Sequence, residues 1–357
     1  VPERRSIGDG GSRNRSSGVA YAPHRPDGAR NRVTAVVRRA REHSAVRGYR
    51  AAAAAISRVP PRITLPLGQA VFMGGYFAWP AKRRIILANA SHVLRLPAGD
   101  RRVRHLARRI YATYAQFVIE LMRLPALPAD EPARLMDYGG ERGGDSFIAL
   151  FERLRAEGRG LIAVSAHIGS IDILAGAFAL RGMPTYGLAD DSAYPELFEE
   201  MNAQRRRWGI EVIPWRNLRR VFAALREPAI LGLVVDWGYR SDGIPVKLFD
   251  QWTTLPAGPA LLAARTGAVI LPVVCRRRAD GSFHARHYDP IEVADSQPRE
   301  VQRATQLIAD ALAEMIAADP EQWYTFKPIW PDKAAEKADL AAAVEALSQP
   351  TGREPAA

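Results

Sequence analysis

A single cysteine, Cys275, occurs among the 357 residues, so no disulfide can form within the chain. It lies in the apolar run AVILPVVC at 268–275 and reads as a small buried hydrophobe. There is no C-x-x-C, no H-E-x-x-H and no His/Cys cluster, which removes the common zinc and redox sites. His284 and His287 in FHARHYDP are close enough to resemble ligands but fit a polar strand better, so neither a metal nor another cofactor is expected. G-x-S-x-G is also missing, and with it the serine elbow of an α/β-hydrolase. Long apolar runs are scarce. The nearest, ITLPLGQAVFMGGYFAW at 63–79, is broken by Pro66, Gly68, Gly74 and Gly75, and falls short of the ~20 residues that span a bilayer. Acidic residues are outnumbered, 38 Asp+Glu against 50 Lys+Arg, for a formal charge of +12. That balance suits anionic partners such as phospholipid headgroups, phosphorylated cofactors or nucleic acid. Residues 1–32 are rich in Arg, Gly and Ser without an apolar centre, so they read as a disordered basic arm and not as a signal peptide.

The apolar content, 47% of the chain, is enough for a large core. Helical patterning runs from 30 to 57 and again from Val103 to Leu124. Between them, 63–79 reads as an interfacial helix, with Tyr76 and Trp79 at headgroup level and Lys82, Arg83 and Arg84 beyond. After the linker LPALPADEPA at 124–133 the pattern alternates. Strands are expected at 161–166, 185–189, 210–215, 229–236, 268–274 and about 284–289, with helices between them and a last helix from about 300 to 318. This predicts an α/β fold, a mixed central sheet flanked by helices, preceded by an N-terminal helical membrane-associating region. The expected divisions are 1–32 (arm), 33–124 (helical region), 125–331 (α/β core) and 332–357 (flexible tail).

The segment SAHIGSIDIL at 165–174 carries the sharpest chemical signal, His167 and Asp172 with four residues between them. On one continuous helix a five-residue step turns by about 500°, leaving the side chains roughly 140° apart. They can meet only if His167 remains in the turn after the strand while Asp172 enters the first helical turn. Gly169 permits such a turn, and Ser170 can cap the helix. A carboxylate on one ring nitrogen would fix the tautomer and leave the other as a general base. Such a base can deprotonate a hydroxyl attacking a thioester without an enzyme nucleophile. The C-terminal end of a strand is also where α/β sheets place ligands.

The motif, its strand–turn–helix setting and the order of later blocks resemble the lysophospholipid acyltransferase superfamily. The chain looks most like the bacterial late lipid A acyltransferases and the phosphatidylinositol mannoside acyltransferases. The resemblance runs from about residue 45 to residue 330. It rests on KRRIILANASHVL (82–94), SAHIGSID, YPELFEEMNAQRRRWGIEVIP (194–214), VVDWGYRSDGIPVKLF (234–249), LPAGPALLAARTGAVILPVV (255–274) and EQWYTFKPIW (321–330). It implies that His167 is the general base and Asp172 its orienting carboxylate. Arg205 would bind a phosphate or support the site, and Asp236 would pair with Arg205 or steady the site. Gly258 and Pro272 match positions that shape the acyl-thioester pocket. The implied reaction is O-acyl transfer from acyl-CoA or acyl carrier protein to a hydroxyl of a membrane lipid or glycolipid, with a lipid A-like or a phosphatidylinositol mannoside-like acceptor. The implied place is the cytoplasmic face of the plasma membrane, as a peripheral or monotopic protein.

Three departures from the family pattern bear on the acceptor. Ser170 and Ile171 replace the usual Asn and Trp, GIPVKLF at 243–249 lacks the glutamate of the mannoside-acylating branch, and no basic run follows the last tryptophans. The His/Asp chemistry survives these changes, but the acceptor does not follow from the resemblance. Two other readings remain: a lysophospholipid or glycerol phosphate acyltransferase, which would carry an F-P-E-G block that is absent here, and a basic nucleic-acid-binding protein. The second expects aromatics interleaved with the basic residues, whereas here they sit in apolar stretches.

Overall fold

Apolar runs too short for helices and too continuous for surface strands, such as LIAVS, demand cover on both faces. A computed structural model, which describes residues 30–140, 142–189 and 195–348, supplies that cover with helices. The parts of the expected arm and tail at 1–29 and 349–357 lie outside the described residues.

Among the described residues four helices come first: α1 (Arg30–Arg58), α2 (Pro61–Ala78), α3 (Pro80–Leu94) and α4 (Arg101–Arg123). Asp100 caps α4 by accepting from the Arg102 N–H at 2.8 Å. Tyr76, Ile86, Ala90, Leu106, Ile110 and Tyr111 form the apolar seam of α2, α3 and α4. Arg123 donates to the carbonyls of Ile56 and Val59, both at 2.8 Å, and so closes the C-terminal end of α1.

The α/β part continues with α5 (Glu131–Leu135), β1 (Met136–Asp137), α6 (Gly144–Ala156), β2 (Leu161–Ser165), α7 (Ile171–Ala179) and β3 (Thr185–Ala189). Then come α8 (Pro195–Arg207), β4 (Ile210–Pro214), α9 (Leu218–Leu225), β5 (Ile230–Val234), β6 (Ile244–Leu248) and β7 (Gln251–Leu255). Last are α10 (Gly258–Thr266), β8 (Val269–Arg277), β9 (Phe283–His287), α11 (Pro298–Ala318) and α12 (Ala334–Ser348). Among the described residues seven strands form one sheet in the order β1-β9-β8-β2-β5-β3-β4. Only the β8–β9 pairing is antiparallel, so the sheet is mixed but mostly parallel.

Side chains of alternate sheet residues feed two cores. Ile162, Val164, Leu231 and Leu233 pack with residues of α9, α10 and α11 on one face. Leu161, Ala163, Ile230 and Val273 pack with α6 and α7 on the other. Two features depart from the sequence reading. The β6–β7 hairpin was not expected, because its segment carries a proline and few alternating apolar residues. Residues 334–348, assigned to a flexible tail, instead form α12, which buries Leu340 and accepts at the Glu336 carbonyl from the Tyr239 hydroxyl at 3.0 Å.

Gly169 fixes the turn between β2 and α7. Its φ is +61°, and a Cβ there would lie 1.8 Å from the Cys275 carbonyl oxygen of β8. That oxygen accepts from the Ser170 N–H at 3.0 Å. Gly169→Ala therefore combines left-handed backbone strain with a clash, and should destabilise the protein by roughly 2 kcal/mol or more. Thermal unfolding checks this; an unchanged Tm would mean that the turn relaxes freely.

Candidate active site

At the C-terminal end of β2 the chain leaves the sheet, and His167 is held there by backbone bonds on both sides. Its carbonyl accepts from the Tyr324 N–H at 2.7 Å, and the Gly169 N–H donates to the Gln322 carbonyl at 3.1 Å. Its ring meets Asp236, two residues beyond β5, a strand paired in parallel with β2. The Asp236 Oδ1 lies 2.7 Å from His167 Nδ1 and accepts the His167 backbone N–H at 3.0 Å. The Oδ2 accepts from the Trp323 indole at 2.8 Å. Asp236 is 2% exposed. Burying a carboxylate costs several kcal/mol; three donors, each worth roughly 1.5–3 kcal/mol on a charged acceptor, offset that cost.

This arrangement corrects the expected pairing. Asp172 does not orient the imidazole: in the first turn of α7 it faces α8, where Arg205 donates from Nε at 2.7 Å and from Nη2 at 3.4 Å. Arg205 also bonds the Asn202 side chain at 3.1 Å. The alternative in which Asp236 pairs with Arg205 is likewise replaced. The physical reason is strand pairing: β2 and β5 run in parallel, so the bend just after β2 that carries His167 lies beside the segment just after β5 that carries Asp236. Trp323, Trp237 and Lys327 were not singled out by sequence reasoning. The only signal for Trp323 and Lys327 was the aromatic block EQWYTFKPIW. Trp237 stands edge-on to the imidazole with centroids 5.4 Å apart, and the Lys327 ammonium lies 4.5 Å from the Trp237 ring centre.

Burial works to lower the His167 pKa, but the Asp236 charge and its hydrogen bond outweigh it, and the pKa is held above the ordinary value despite the opposing Lys327 charge. Asp236 is driven the other way: burial would raise its pKa, but the His167 charge and the hydrogen bonds from His167 and Trp323 keep it below the usual carboxylate range. With Nδ1–H directed at Asp236, the neutral imidazole carries its lone pair on Nε2. The side chain is 41% exposed, and it opens on a cavity of about 370 Å³ also lined by Asp172, Arg205 and Trp237. Beyond them the cavity is apolar, running between α7 and the β2-β5-β3-β4 face of the sheet, with Leu174, Phe178, Gly187 and Gly232 among its walls. A second apolar cavity of about 250 Å³ beside α2 and α4 shares Phe117, Leu121 and Asp172.

The other sequence candidates lie apart from this cavity. Gly258 opens α10, and a Cβ there would meet nothing within 4 Å. Pro272 is in β8 opposite Val164, whose side chain packs in the other core. His284 and His287 bond Asp137 at 3.3 Å and Ser146 at 2.8 Å. Cys275 is buried and its thiol pKa is pushed up to about 12 by burial, which removes it as a thiolate nucleophile.

A ring held by one carboxylate gives a titration test. His167 should hold its proton to a pH above the ~6.5 of a free imidazole, and lose it as pH rises through the raised pKa. Asp236→Asn removes the charge and leaves burial and Lys327, so the pKa should drop below that value. NMR titration of the ring checks both; identical titrations in the two proteins would sink the Asp236 assignment.

The family model described as bacterial lipid A biosynthesis acyltransferase matches residues 48–331. A phosphatidylinositol mannoside acyltransferase of Mycolicibacterium smegmatis is 31% identical over 236 residues, covering 63% of this chain and 72% of that protein. One from Mycobacterium tuberculosis (strain ATCC 25618 / H37Rv) is 28% identical over 226 residues, covering 61% and 68%. The matched span takes in α2, α3, α4, the whole sheet and every residue around His167. The chain belongs to the bacterial lipid A biosynthesis acyltransferase family, and it is an acyltransferase.

Proposed function

We propose that the protein transfers a fatty acyl group from an acyl thioester, acyl-CoA or acyl-carrier-protein-bound, to a hydroxyl of a mannosylated phosphatidylinositol or a similar glycolipid. The observation that carries this reading is the His167 imidazole bonded to the buried Asp236 carboxylate and opening on an apolar cavity of about 370 Å³. His167 Nε2 takes the proton of the acceptor hydroxyl as its oxygen attacks the thioester carbonyl. The tetrahedral intermediate then collapses, the carbon–sulfur bond breaks, and the imidazolium returns the proton to the departing thiolate. The acyl tail lies in the cavity. Asp172 and Arg205 act as positioning residues, tying the first turn of α7 to the last turn of α8 at the cavity wall. No nucleophile on the protein is needed, and the buried Cys275 offers none. The mannosylated acceptor is favoured by the two mycobacterial relatives, whose names specify it.

The assay combines the pure protein, labelled palmitoyl-CoA and phosphatidylinositol mannosides. His167→Ala should lower transfer at least about a hundredfold, the usual scale for a general base, with the fold intact. Rapid quenching followed by mass spectrometry should find no acyl group on the protein. Near-normal transfer by the variant would overturn the role of His167, and a trapped acyl-protein would overturn direct attack.

The membrane reading rests on α2. Ile63, Leu67 and Val71, spaced four apart on one helix face, are 52–64% exposed, and Phe77 and Trp79 at the end of α2 are 59% and 60% exposed. Lys82 lies 6.0 Å from the Trp79 ring centre. An apolar stripe ending in tryptophan and flanked by basic residues fits a helix lying in the headgroup layer. Among the described residues no helix is long and apolar enough to cross a membrane. Leu67→Glu with Val71→Glu should weaken sedimentation with anionic vesicles at least about tenfold, because each change both removes buried apolar area and adds repulsion. Unchanged binding would move the contact elsewhere.

A further inference from the structure

The cavity beside His167 owes its depth to one row of the sheet. Strand register sets Ala163 of β2 opposite Gly232 of β5, Gly232 opposite Gly187 of β3, and Gly187 opposite Val212 of β4. All four residues line the cavity. The next row toward the N-terminal ends of the strands is bulkier: Ile230, Thr185 and Ile210, also in register, close that end of the cavity. Phe147 and Phe178 flank it, stacked with centroids 4.1 Å apart.

Neither glycine is demanded by its backbone. Both sit inside regular ladders, and neither has the positive φ found at Gly169. Nor does a neighbour crowd them: a Cβ on Gly187 would come no closer than 3.8 Å to Val212, and one on Gly232 no closer than 3.5 Å to the Tyr186 carbonyl. Glycine inside a strand weakens it, and without a bulge or tight packing to explain it, it marks a place kept open for something else. Here the opening continues the space in front of the imidazole. At ~3.3 Å per residue, Ala163 and its row lie at most about 13 Å along the strand direction from His167.

We infer that Gly232 and Gly187 are specificity-determining residues that set the longest acyl chain the site accepts. A long tail passes the glycine row and ends against Ile230, Thr185 and Ile210. Any larger side chain at either glycine moves the end of the cavity toward His167. The inference rests on the acyl-transfer reading and adds to it the residues that select the donor.

The test compares palmitoyl-CoA with octanoyl-CoA for the full-length protein and for Gly232→Val and Gly187→Val. β-branched residues suit strands, and circular dichroism verifies folding. The ratio of kcat/KM for palmitoyl over octanoyl donor should fall at least about tenfold, the scale on which apolar pockets discriminate size. Ile230→Ala should act in the opposite sense, raising use of stearoyl-CoA relative to palmitoyl-CoA. Equal losses with both donors in a folded variant, or an unchanged ratio, would overturn the inference.

A second readout needs no acceptor. Binding of a series of acyl-CoA chain lengths, followed by tryptophan fluorescence, should strengthen with length to a plateau, and Gly232→Val should bring the plateau to shorter chains. If the wild type binds the series in this way but transfers to no mannosylated lipid, the acceptor reading fails while the glycine row stands. Binding that ignores chain length, or a plateau that the variant leaves in place, sinks the row itself.

Discussion

The carboxylate of Asp236 joins three parts of the chain that are remote in sequence. It takes one hydrogen bond from the backbone where β2 ends, one from the ring of His167, and one from the indole of Trp323 in the segment after α11. None of the three donors could satisfy it alone. Each donor offsets part of the cost of keeping so deeply buried a carboxylate charged. The site's geometry therefore depends on the sheet, which aligns β2 with β5, and on the C-terminal segment, which brings Trp323. The backbone bonds from Tyr324 to His167 and from Gly169 to Gln322 secure the same contact. The segment is held from its other side as well: Asn89 of α3 donates to the Lys327 carbonyl at 2.9 Å. The N-terminal helices are thus coupled to the C-terminal end of β2 through the segment that bonds both Asp236 and His167.

Much of this architecture could be read from residue patterns. LIAVS and ILGLV are continuous apolar runs, and in the structure they are adjacent central strands covered on both faces. The turn after β2 was legible because Gly169 precedes an apolar helix, although Ser170 holds the N-cap position without a side-chain cap bond. The β6–β7 hairpin was not, because its pairing depends on contact with α11, as in the Lys247 N–H donating to the Gln306 side chain at 2.8 Å. Helix α12 was missed for a related reason. Its alanine-rich sequence has helical propensity but almost no amphipathic pattern, and only packing against the body marks it as ordered.

The site was legible in its members and not in its pairings. His167, Asp172, Arg205 and Asp236 could each be named, yet no spacing rule says which acid meets which base. Asp172 is five residues from His167 and Asp236 is sixty-nine away, but parallel strands cancel that distance by bringing their C-terminal ends together. Local spacing carries information where one element presents both groups. Here the imidazole belongs to the end of a strand and the nearer acid to a helix, so the sheet decides.

The two acids near His167 also require different electrostatic treatment. In the proposed reaction a general base loses force if its protonated form is overstabilised, because the imidazolium must return its proton within the same cycle. One carboxylate bonded to the ring raises the pKa. A second free carboxylate at the same cavity would raise it further. Arg205 prevents that by binding both oxygens of Asp172, so the charge on the cavity wall is neutralised where it arises. The charges that shift His167 are Asp236 and, in the opposite sense, Lys327. The Asp172–Arg205 pair accordingly does two things at once. It ties α7 to α8 at the wall of the apolar cavity, and it leaves Asp236 as the one carboxylate bonded to the imidazole.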